Sequence, residues 1–111
     1  MQKVLNLLGL ATRARKTISG EELVVQSLRS LKVVFLASDA GPNTTKKVTT
    51  KCNTQNIALI NIFDRTEISR AIGKDNRVVC GVKDKGFADA MLKLLEEVTE
   101  WETIIERKKL K

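Results

Sequence analysis

The side chains able to do chemistry are few, and the missing ones narrow the field. Histidine does not occur in the 111 residues, which removes the commonest general base and with it Ser-His and Cys-His catalysis. Cys52 and Cys80 sit in apolar surroundings without C-x-x-C spacing and read as reduced core thiols, not as zinc ligands. Asp39 follows an apolar run, where a phospho-acceptor or metal-binding aspartate could stand. No acidic partner clusters near it in sequence, and it can equally turn or cap a loop. What remains is the chemistry of binding. The stretch S-D-A-G-P-N-T-T-K-K at 38–47 gathers a Gly-Pro turn, an amide, two hydroxyls and two ammonium groups. Asn43 is a good N-cap for a helix beginning there. Lys46 and Lys47 in its first turn oppose the macrodipole, at about a few tenths of a kcal/mol each. Either they solvate a surface turn, or they join free N–H groups and threonine hydroxyls in holding phosphate or nucleic acid.

Charge favours the second use. The chain carries +7, and residues 1–83 hold 14 Lys/Arg against 6 Asp/Glu, while residues 84–111 hold 6 against 7. A field of that sign attracts polyanions. Arg13, Arg15 and Lys16 form one cluster, and Arg65, Arg70, Lys74 and Arg77 another. If both share an edge with the 38–47 loop, the three loops make one basic patch, whose binding would weaken by about 0.9 log units per phosphate per log unit of salt. The four aromatic residues, Phe35, Phe63, Phe87 and Trp101, are too few for a single-strand stacking platform, so a folded RNA fits better. No cofactor or metal is expected. No apolar stretch approaches the ~20 residues of a membrane helix, and the N-terminus lacks a signal-peptide pattern, so the expected location is cytoplasmic.

The elements that must position these groups follow from periodicity. Val4, Leu7, Leu8 and Ala11 predict an amphipathic helix over 2–13. Ser19 with Glu22 reads as a capping box opening a second helix. V-V-F-L-A at 33–37, I-A-L-I-N-I at 57–62 and R-V-V-C-G-V at 77–82 have the look of buried strands. Between them, Val48 and Cys52 line one helix, and Ile68 and Ile72 another that Asp64 caps and Gly73 ends. From Asp84, an apolar stripe predicts one long helix to about residue 108. The alternation predicts a single α/β domain over 1–111, a three-layer α/β/α sandwich around a mixed four-stranded sheet, with the working loops at the carboxyl ends of the strands.

At this point the residues resemble a known family. G-P-N-T-T-K-K at 41–47 is similar to the G-x-N-E-x-x-K signature of the kink-turn-binding ribosomal proteins, and E-I-S-R-A-I-G at 67–73 to their E-L-G-x-A-x-G. N-L-L-G-L-A-T-R-A-R-K with S-G-E-E, and G-V-K-D-K-G-F-A, resemble the small bacterial branch, so that the likeness spans roughly residues 3–95 in order. The resemblance implies an α/β/α sandwich that binds a sharply bent RNA duplex beside tandem sheared G·A pairs. By that likeness Gly41 allows close backbone approach, Asn43 and Thr44 face the G·A edges, and Lys47 contacts guanine or phosphate. Lys16 would serve the RNA backbone, and the loop from Phe63 through Arg65 to Ile68 would cover the flipped-out nucleotide. Lys46 joins them on charge alone.

The chain departs from the pattern at three places. Thr44 replaces a carboxylate acceptor with a hydroxyl that can donate or accept. Ser69 stands where the family usually has glycine. Arg15 stands where the bacterial branch has glycine after Arg-Ala, and a left-handed backbone there would cost roughly 1 kcal/mol unless the turn has another shape. The expected function is a ribosome-associated, non-enzymatic protein that recognises and stabilises kink-turn-type structured RNA, with ribosomal RNA among its candidate partners. The alternative is a ribosome-associated scaffold or protein-interaction module with the same fold and weak or non-specific RNA binding. Trp101, Ile104 and Ile105 extend the last helix's stripe, either to cap the core or to dock a protein partner or second copy.

Overall fold

The computed structural model describes residues 1–97. Of the helix expected over 84–108, the described part is Lys85–Glu96 with Glu97 as its C-cap, and Trp101, Ile104 and Ile105 lie outside the described residues. The order is α1 (Gln2–Arg13), β1 (Thr17–Ser19), α2 (Glu21–Gln26), a 3-10 turn (Leu28–Ser30), β2 (Val33–Leu36), α3 (Pro42–Gln55), β3 (Ala58–Ile60), α4 (Arg65–Ile72), β4 (Val79–Val82) and α5 (Lys85–Glu96).

The sheet is mixed and four-stranded, in the order β1-β4-β2-β3. β2 pairs parallel with β3 and antiparallel with β4, and β4 pairs antiparallel with the edge strand β1. All four residues of β2 are buried, and their alternation divides the core. Val33 and Phe35 join one cluster with Val4, Leu8, Ile68 and Met91 from α1, α4 and α5, while Val34 and Leu36 join a second with Val24, Val48 and Cys52 from α2 and α3. Successive strand side chains point to opposite faces, so one four-residue strand anchors both helical layers of the α/β/α sandwich.

Two local expectations are corrected. Ser19 belongs to β1, and Gly20 is the N-cap of α2, with φ 102° and no side-chain cap; a positive φ suits glycine, not serine. Asn43 is inside α3, whose N-cap is Gly41. Pro42 sits in the first helical turn, where its fixed φ is preorganised and its missing N–H is not needed. Asp64 does cap α4, accepting from the Glu67 N–H at 2.9 Å while Glu67 accepts from the Asp64 N–H at 3.0 Å. Both cysteines are buried and reduced, and burial pushes the Cys80 thiol up to about 12, leaving it unreactive.

Three helices end in one motif. After α1, the Arg15 N–H donates to Thr12 and the Lys16 N–H to Ala11; after α3, Asn56 donates to Asn53 and Ile57 to Cys52; after α4, Gly73 donates to Arg70 and Lys74 to Ser69. These paired bonds require a left-handed residue just past the helix. Gly73 and Asn56 are usual there, but the third is Arg15, at φ 61°.

Candidate nucleic-acid interface

Register fixes which loops meet. Leu36 lies opposite Val79 and Val33 opposite Val82, while Ser19 lies opposite Cys80. The segment leaving β2, the loop leaving β3, the segment entering β4 and the start of α2 therefore share one end of the sheet. Arg13, Arg15 and Lys16 do not join them. Thr17 lies opposite Val82, and the Lys16 carbonyl accepts from the Lys83 N–H at 2.7 Å, which puts Lys16 at the other end, about 13 Å along β1 at ~3.3 Å per residue. The expected single patch is thus corrected: the Arg13–Lys16 cluster and the 38–47 loop stand at opposite ends of the sheet, and the 65–77 segment reaches both, with Arg70 beside Arg13 and Lys74 and Arg77 lining a groove with Arg15. Two of those loops share an end, and the start of α2 completes it.

At that end Glu21 links two helices. Its Oε1 accepts from the Thr44 hydroxyl at 2.7 Å, and its Oε2 lies 3.3 Å from Lys47 Nζ. The Thr44 hydrogen bond first, and the Lys47 ammonium second, hold the Glu21 carboxyl below its usual 4.5. Glu21 opens α2, where a negative charge also suits the macrodipole. Thr44 thus donates to a carboxylate carried by another helix. Lys47 is half-engaged by the same group. Lys46 and Asn43 are exposed and free of side-chain hydrogen bonds and ion pairs among the described residues.

The neighbouring loops are tied by Arg65 and Ser69. The Arg65 N–H donates to Asp39 Oδ1 at 2.9 Å, Nε reaches Oδ2 at 3.4 Å, Nη2 donates to the Asp39 carbonyl at 2.9 Å, and Nη1 donates to Asn76 Oδ1 at 3.2 Å. One guanidinium thus fastens three loops, and Asp39 works as a loop tie. The buried Ser69 hydroxyl accepts from the Arg77 N–H at 2.7 Å and donates to the Arg77 carbonyl at 3.2 Å. Arg77 Nε then donates to Ser19 Oγ at 3.2 Å. The serine in place of glycine fixes the turn that aims Arg77.

Gly41, Asn43, Thr44, Lys46, Lys47 and Arg65 come together at this end. Phe63 and Ile68 belong to the same segment but not to its surface. Phe63 is 4% exposed and stacks on Phe35 at 6.1 Å, and Ile68 is fully buried. Both side chains therefore support the loop from beneath and offer no side-chain contact to a ligand. Apolar rings leave water when a core is within reach, and the Phe63 carbonyl is retained as the acceptor for Ser38 N–H at 2.9 Å. Sequence reasoning missed Glu21, Ser19 and Asn76 as members of the site. An acidic residue at a helix start was a visible cue for Glu21, but its hydrogen-bond partner Thr44 stands 23 residues further on.

The comparisons agree with this architecture. The model of the ribosomal protein L7Ae/L30e/S12e/Gadd45 family matches residues 2–92. RNA-binding protein YlxQ of Bacillus subtilis (strain 168) is 48% identical over 92 residues, 81% of this chain and 92% of the relative. Its counterpart in Enterococcus faecium is 43% identical over 97 residues, 86% and 93% of the two chains. A solved structure of a protein with unknown function from Bacillus halodurans superposes with a TM-score of 0.80 at 45% identity, covering 85% of this chain and 97% of that one. The Giardia lamblia 15.5kD RNA binding protein shares the fold, at a TM-score of 0.76 and 14% identity, over 90% and 88%. With its mixed sheet, both helical layers and nearly the whole described chain matched, the protein belongs to the ribosomal protein L7Ae/L30e/S12e/Gadd45 family.

Proposed function

We propose that this chain is a non-enzymatic RNA-binding protein of the cytoplasm, associated with ribosomal RNA, that recognises and stabilises a kink-turn. The observation that carries the reading is the convergence at one sheet end of outward-facing Asn43 and Lys46, the Glu21–Thr44–Lys47 triad and the braced loops of Arg65 and Arg77. Such a surface offers amide, hydroxyl and carboxylate groups for base edges and cations for phosphates. The relatives whose names describe RNA binding, at 43–48% identity, support the partner class. Gly41 supports close approach: its φ of −63° is open to any residue, and a Cβ there would meet nothing within 4 Å. The fold itself makes no demand for glycine at that position, whereas a ligand lying against the backbone would.

Binding would stabilise the bend because loops from four elements can touch the RNA together only when its two arms approach. A kink-turn RNA with a donor and an acceptor dye on its arms tests this. Added protein should raise energy transfer in the intact RNA and leave it unchanged when the tandem G·A pairs are replaced. Equal responses would refute recognition of the bend, and no response in either would refute its stabilisation.

A further inference from the structure

β1 is one of the sheet's two edge strands, and a groove of about 510 Å³ follows it from end to end. Among the described residues, four cations line this groove, Arg15, Lys74, Arg77 and Lys83, and no carboxylate does. Its floor includes Leu23, which at 57% is the most exposed of the large apolar side chains among the described residues. Cations around an apolar floor suit alternating phosphates and sugars or base faces.

Two further observations point the same way. The groove is continuous with the interface, since Ser19, Leu23 and Arg77 also line the adjoining hollow that holds Glu21 and Asn76. Arg15 is kept in the left-handed region where the other two helix-ending turns use glycine and asparagine. A side chain held in a disfavoured backbone conformation is a reason to look for a use, and the Arg15 side chain lines the far end of the groove.

We propose that this groove is a second RNA contact, carrying a stretch of sugar-phosphate backbone from the interface at the start of α2 along β1 to Arg15 and Lys83. The proposal rests on the RNA-binding reading and deepens it. It gives the Arg13–Lys16 end a role despite its separation from the 38–47 loop. The groove adds affinity without sequence preference, because phosphate contacts position and base contacts specify.

The test uses the full chain, a kink-turn RNA with extended arms, and the same RNA with its G·A pairs replaced, each titrated over a range of salt. Arg15→Gly/Lys83→Gln should weaken both RNAs equally and lower the slope of log affinity against log salt by about 1.4 to 1.8, at ~0.7–0.9 per phosphate. Its melting temperature should hold or rise, since glycine relieves the turn, so weaker binding cannot be blamed on unfolding. Lys74→Gln/Lys83→Gln, which leaves that turn untouched, should repeat the loss. Lys3→Gln/Lys93→Gln removes equal charge from helices outside the groove and should change the slope little. Wild-type slopes in both groove variants, or the same loss in the control, would overturn the proposal. If wild-type protein binds the two RNAs equally while the groove variants still lose affinity, kink-turn recognition fails and the groove stands.

Discussion

Phe63 separates a residue that supports a binding loop from one that touches the ligand. It is 4% exposed, and its ring lies 6.1 Å from that of Phe35 with an interplanar angle of 29°, beneath the loop that delivers Asp64 and Arg65. Phe63→Ala removes a buried ring at a cost of about 3–5 kcal/mol. An aromatic pair contributes about 0.5–1.5 kcal/mol beyond its area, so the expected loss is at least the lower end of that range, about 3 kcal/mol. With ~4–8 °C of melting temperature per kcal/mol for a domain of this size, the midpoint should fall by roughly 12–24 °C. Phe63→Leu keeps most of the apolar volume and should cost about 1–2 kcal/mol. Thermal unfolding followed by circular dichroism gives both values, and RNA titration well below the lower midpoint gives the functional readout. Phe63→Leu should bind RNA within about twofold of wild type, an affinity change of about 0.4 kcal/mol. A Phe63→Leu protein that melts like wild type but binds tenfold worse would refute the argument, since the ring would then be acting on the ligand.

Other outcomes follow from the same geometry. The Glu21 carboxyl has a lowered pKa when folded, so its clasp with Thr44 and Lys47 stabilises fully above the ordinary value of 4.5 and fades as pH falls through the folded value. Thr44→Val should raise the Glu21 pKa, followed by carboxyl-carbon NMR, and melt lower than wild type at pH 7 by an amount that shrinks at pH 3; a constant difference would remove Glu21 from the explanation. A Cβ on Gly81 would lie 2.4 Å from Leu31 Cδ1 and 3.0 Å from Cδ2, so Gly81→Ala should cost about 1–3 kcal/mol in chemical denaturation. Leu31→Ala in the Gly81→Ala background should cost less than Leu31→Ala alone, and full additivity would deny the clash.

Much of this architecture is legible in the sequence because burial and period coincide. Val33–Leu36 is a continuous β-rich apolar run and does become the doubly buried strand β2, and Asp64 with Glu67 is a local capping pair that needs no tertiary information. Thr17–Ser19 escapes such a reading because it is three residues long, only partly buried and paired on one side alone. Asn43 is a good cap by type, yet Pro42 sets the helix start first. The site was harder to read than the fold. Lysines and arginines announce a basic protein, but only register shows that Lys16 stands at the opposite end of the sheet from Lys47. The Glu21–Thr44 bond joins different helices, and no local pattern encodes it.

The most direct measurement of the central claim is an equilibrium titration of the full chain, at several stated salt concentrations, against a kink-turn RNA and the same RNA with its tandem G·A pairs replaced. A preference for the intact RNA that persists as salt weakens both, and that Asn43→Ala abolishes, is the predicted result, because base-edge contacts discriminate while phosphate contacts carry the salt dependence. Two titration curves that coincide at every salt concentration would contradict it.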